Sequence, residues 1–226
     1  MDPRPLDFVE TGLSARVLAL VESEGSATHS YCAPVLAGER ISFARHSADF
    51  ADFIHLLVLL HGQIPGVVDH AAVHTAEPVA RDWLIRSTSA FAEERDYMHR
   101  LCAAAGPVPS TPRHSEATAA IAQQSHAIEM LAQSERRGCA LGTAITLVLE
   151  WQAIRKILDV GALSLGIEPA ETALPSQSDT VALLDDLPQV ERFSRAVQFG
   201  ADQLLVQHRG MWNLLKARAG ARQSSQ

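Results

Sequence analysis

The run from Cys139 to Leu165 constrains this chain more than any other feature. It has helical character, and its first half is apolar nearly all the way round. A helix without a solvent face is buried on all sides, so the run predicts a central helix enclosed by others. Its only polar face, Gln152, Arg155, Lys156 and Asp159, belongs to the second half. Glu150 lies opposite that face, in a stripe with Thr143, Thr146, Ile154 and Ile157. An ionised carboxylate buried there needs a cation, a hydrogen-bond network or a proton.

Other helical-period segments are available to enclose it, and proline and glycine mark their ends. The first runs from about Ser14 to Ser23. Ser47 reads as an N-cap for a helix to His61, stopped by Gly62. Pro65 begins a short helix to about His74. Pro78 opens a long one to Ala105, closed by Gly106-Pro107, and Thr111-Pro112 starts another to Arg137. A continuous helix from there through Leu165 would run ~80 Å at about 1.5 Å per residue, so Gly138 is read as a separator. The segment Gly166 to Gln177 is a loop, with a brief helical turn at Asp179 to Leu184. Pro188 starts the last helix, to about Ala217.

Short connections between long helices make the fold class all-α, an antiparallel multi-helix bundle. The exception is Tyr31 to Phe43, where Ala37-Gly38-Glu39-Arg40 reads as the turn of a small β-hairpin. Residues 1–218 are read as one domain and 219–226 as a disordered polar tail.

Composition narrows the function classes. The chain has 226 residues, 47% of them hydrophobic, and a formal charge of −7. No basic stripe is present, which argues against nucleic acid as partner. Three cysteines without a CxxC spacing argue against a disulfide framework or a thiolate zinc site. No apolar run approaches membrane-spanning length, and Leu56 to Leu60 is far too short. The N-terminal residues lack a signal-peptide pattern, so the expected location is cytoplasmic. No phosphate loop, nucleophile elbow or His-Glu-x-x-His motif occurs.

Placed on helical wheels at ~100° per residue, five polar residues fall on core-facing stripes, each from a different helix. They are His61, Glu94, Glu135, Glu150 and His208. Three carboxylates and two imidazoles suit iron, manganese or zinc, so the five form a candidate metal site, with iron or manganese as cofactor. Pairs with ligand-like spacing (Asp52/His55, Asp96/His99, His126/Glu129) fall on polar edges. His70 and His74 share one face of the Pro65 helix.

The arrangement loosely resembles the ferritin-like di-iron bundles over Ser47 to Ala217. That family carries Glu-x-x-His on two helices and a lone Glu on two others. No Glu-x-x-His occurs here. The haem-oxygenase-like bundles, whose Glu and His ligands are scattered, are similar in general shape. Either resemblance implies redox or oxygen chemistry at the metal. The alternatives are a non-catalytic interaction protein, homodimeric through the heptad-like last helix, and a small-molecule pocket in which Glu150 and Thr146 orient the ligand.

Overall fold

The computed structural model describes residues 12–38 and 47–224. Among these residues it is all-helical, with nine α-helices. They are α1 (Leu13–Glu24), α2 (Ala33–Leu36), α3 (Ser47–His61), α4 (Val67–His74), α5 (Arg81–Ala105), α6 (His114–Ala132), α7 (Cys139–Ser164), α8 (Gln177–Asp186) and α9 (Glu191–Ser224). A 3-10 turn at Ser26–Thr28 follows α1, and another at Pro78–Ala80 leads into α5.

The expected central helix is α7. Every residue from Cys139 to Trp151 is buried. Its most extensive partner is α9, and α1, α4, α5 and α6 also pack on it. Glycine sets the closeness of the α7–α9 pair. A Cβ added at Gly142 would stand 2.1 Å from the Val197 carbonyl oxygen, and one at Gly200 would stand 2.3 Å from that of Cys139. The two backbones therefore touch where side chains would normally hold helices apart. Phe193, Val197, Ala201, Leu204, Met211 and Leu215 on α9 are all buried in this way. The heptad-like stripe expected as a dimer face is thus spent within the chain, while Val190, expected on it, is exposed.

The break between α6 and α7 falls at Gly138, whose φ of 98° is disfavoured for any residue with a side chain. Helix α6 has by then ended at Ala132, so Glu135 sits in an exposed connection rather than on a core stripe. The start of α8 comes earlier than expected, because Ser176 and Asp179 form a reciprocal capping box that satisfies two orphan backbone N–H groups. The expected hairpin is not formed in its first arm: Ala33–Leu36 is a turn of α-helix, and residues 39–46 lie outside the described residues.

The largest departure from expectation concerns Asp52 and the chain end. Helix α9 continues through the expected tail to Ser224. Its Arg218 Nε donates to both carboxylate oxygens of Asp52, at 2.9 and 2.7 Å. Arg222 donates to Asp52 at 2.6 Å, to Asp49 at 2.6 Å and to the Thr111 hydroxyl at 2.9 Å. Asp52 is wholly buried instead of facing solvent, because α5, α6 and α9 all pack against α3 and cover its polar edge. Replacing Asp52 with alanine would leave the buried Arg218 charge uncompensated. Asp52→Ala should therefore cost about 3–5 kcal/mol, read from the shift in the urea-denaturation midpoint.

Candidate functional site

Glu150 lies in the apolar wall of α7 with about 1% of its surface exposed. Its charge is met by a turn from the other end of the sequence. The backbone N–H of Ser26 sits 3.0 Å from both carboxylate oxygens, and the Ser26 hydroxyl donates to Oε2 at 2.6 Å. The preceding glycine permits this approach, since a Cβ at Gly25 would fall 2.5 Å from Glu150 Oε1. Trp212 on α9 donates its indole N–H to the Ser26 hydroxyl at 2.8 Å, which orients that hydroxyl toward the carboxylate.

The remaining donor is an imidazole. His208 Nδ1 lies 3.1 Å from Glu150 Oε2. Its other ring nitrogen, Nε2, lies 2.9 Å from Nε2 of His61 on α3. The two rings meet edge to face, with centroids 5.1 Å apart. Both histidines are buried.

Hydrogen-bond logic assigns the protons along this chain. A carboxylate only accepts, so His208 carries its proton on Nδ1. When His208 holds that single proton, its Nε2 lone pair accepts from Nε2 of His61. That leaves Nδ1 of His61 as an acceptor, and among the described residues it has no hydrogen-bond partner. Burial, reinforced by the neighbouring His208, holds His61 well below the usual imidazole range, so its ring is neutral at neutral pH. His61 also lines a small cleft of about 50 Å³. Gln63 and His70, with Ser125 and Glu129 of α6, supply the other polar groups of that cleft.

The structure joins three of the five expected ligands: Glu150, His208 and His61. Glu94 is also buried, but its oxygens are occupied by protein donors. Trp151 Nε1 donates to it at 3.0 Å, Arg155 at 2.6 Å and Thr172 at 2.7 Å. Arg155 in turn binds Asp159 at 2.7 Å, lies over the Tyr97 ring and donates to the Ala170 carbonyl. This second network clamps α5 and α7 to the loop after α7. Trp151 separates the two clusters, since its indole N–H serves Glu94 and its ring packs against His61. Glu135 is exposed in the α6–α7 connection, beside Arg136 and Arg137. Among the described residues no group of three or more His, Cys, Asp or Glu side chains could hold a metal ion.

The residues with ligand-like spacing are dispersed. Asp52 belongs to the arginine network, whereas His55 contacts Cys102. His126 and Glu129 form an exposed contact. His70 and His74 approach one another only as tilted rings with centroids 6.5 Å apart. Ser26 and Trp212 went unnoticed in the sequence. Ser26 acts partly through a backbone N–H, which leaves no trace in residue patterning, and Trp212 reads as ordinary core.

Fold and site together define a helical bundle with a buried carboxylate–imidazole–imidazole chain. Residues 21–223 match the family of unknown function DUF6975, and the chain belongs to that family. The matched span contains every member of the chain, from Ser26 to Trp212. No curated protein and no solved structure matches the sequence. No helix among the described residues is long and apolar enough to cross a membrane.

The lowered His61 value has a consequence for stability. Unfolded His61 binds a proton near the ordinary imidazole pKa, about 6.5, while the folded form resists it. The unfolded state therefore holds more protons below that pH, and stability falls as pH drops. His29 is also lowered, chiefly by burial, and adds in the same direction. Unfolding free energy should decline from pH 7 to pH 5, with His61 contributing up to about 1.4 kcal/mol per pH unit. The slope should lessen in His61→Gln, as measured by urea denaturation across the series.

Proposed function

We propose that this protein binds a small polar molecule in the cleft beside His61 and takes a proton from it. The carrying observation is the 2.9 Å contact between two buried imidazoles, with Glu150 behind the second. A proton accepted at Nδ1 of His61 makes an imidazolium. Its Nε2 proton then passes to Nε2 of His208. The charge comes to rest on His208, against the Glu150 carboxylate, rather than alone in the core. A paired buried charge is far less costly than an isolated one, so a proton taken at the cleft is held on His208 rather than on His61. Orientation of the base by a third group is the general pattern of acid–base sites.

Diethyl pyrocarbonate tests this reading directly, because it acylates an imidazole only at an unprotonated nitrogen. Peptide mapping should show His61 modified and His208 protected. The His61 rate should hold between pH 7 and pH 5.5, because burial keeps its ring neutral there. An unmodified His61 under conditions that modify His126 would contradict an accessible acceptor at the cleft.

A second reading rests on the same contact. Metal-bound histidines commonly have their other ring nitrogen oriented by a carboxylate, as Glu150 orients His208. A single iron or manganese would then take His61 and His208 as its imidazole ligands, with Glu94 and Glu135 outside the set. Purification from iron- and manganese-supplemented medium followed by elemental analysis checks it. Stoichiometric metal lost in His61→Gln supports this reading, and metal-free protein removes it.

A further inference from the structure

A second nucleophile–base pair lies at the far end of α5, built from side chains that the Glu150 chain does not use. Cys102 Sγ stands 3.3 Å from Nδ1 of His55 on α3. The opposite ring nitrogen, Nε2, is 2.8 Å from the Gly106 carbonyl oxygen. A carbonyl only accepts, so His55 carries its proton on Nε2 and turns the Nδ1 lone pair toward the thiol. Both side chains are partly exposed, whereas Cys32 and Cys139 are buried.

The arrangement has the three parts of an activated nucleophile: a thiol, a base within reach of its proton, and a third group fixing the base. Gly106, the residue that closes α5 at a φ of 78°, supplies the third part through its backbone. The spacing of Cys102 and His99 on one helix does not reveal this pair, since the partner comes from α3.

We infer that Cys102 is a reactive thiol that forms mixed disulfides with low-molecular-weight disulfides, with His55 as its base. Cys102 Sγ attacks one sulfur of the disulfide, forming a new S–S bond as the old one breaks. The departing sulfur leaves with the electron pair as a thiolate. The Cys102 proton passes to His55 Nδ1 and from there to that thiolate, so one disulfide and one thiol are consumed and one of each is produced. Burial raises the Cys102 thiol above its ordinary value, so the thiol keeps its proton until the attack. Proton removal by His55 therefore accompanies the attack.

Incubating the full-length protein with glutathione disulfide, followed by intact-mass measurement and peptide mapping, tests the assignment. One adduct is expected, at Cys102, and none at Cys32 or Cys139. Attack assisted by an imidazole base does not wait for free thiolate, so the wild-type rate should rise by no more than about twofold from pH 7 to pH 8. In His55→Gln the rate at pH 7 should fall by about tenfold or more, within the usual range for a general base. It should also regain the tenfold rise per pH unit of an unassisted thiol. The inference is overturned if wild-type protein forms no adduct at Cys102. It is equally overturned if the wild-type rate rises tenfold per unit across that range, or if His55→Gln reacts at the wild-type rate.

Discussion

Glu150 is the constraint around which the rest of the bundle is arranged. A carboxylate in the middle of an all-buried helix costs several kcal/mol unless donors converge on it. The donors here come from the turn after α1 and from α9. Satisfying one side chain thus brings both ends of the chain onto α7. His208 is committed to Glu150 through Nδ1, which leaves Nε2 to meet His61 and so ties in α3. One buried charge specifies the relative placement of four segments that are distant in sequence.

The same economy of polar contacts recurs twice. Glu94 and Arg155 hold α5, α7 and the following loop together. Asp49 and Asp52 hold the end of α9 to the start of α3. These two networks use arginine, whose fork of donors binds carboxylates strongly but carries no lone pair of its own. The Glu150 network uses histidine instead. Imidazole is the one common donor that can also accept and pass on a proton near neutral pH. That difference in partner separates a clamp from a candidate site.

Much of the fold could be read from the sequence, because helix ends marked by proline and glycine are local events. The bounds Ser47–His61 and the separate α6 and α7 follow from such marks. The inward orientation of Glu94, Glu150, His61 and His208 also followed, since each lies on a stripe whose period is that of its own helix. What failed depended on neighbours. Asp52 sits on a polar edge by periodicity, yet other helices cover that edge, and its arginine partners lie at the opposite end of the sequence. Extending the period of α6 past its actual end at Ala132 puts Glu135 on a core stripe that does not exist. Shared inward orientation also does not imply proximity. Glu94 and Glu150 occupy the same core, but Trp151 and Arg155 claim Glu94. The Cys102–His55 pair was illegible because its base is on another helix and its orienting group is a main-chain carbonyl.

Glu150 sets the proton positions of two histidines and leaves Nδ1 of His61 without a partner among the described residues. Long-range ¹H–¹⁵N correlation spectra of the imidazole nitrogens test it most directly. His61 should be neutral, protonated on Nε2 and unprotonated on Nδ1, with no titration near pH 6.5. His208 should be protonated on Nδ1. In Glu150→Gln, an amide that can donate toward His208 should disturb this order and move the His61 signals. A wild-type His61 protonated on Nδ1, or one titrating as an exposed imidazole does, would contradict it.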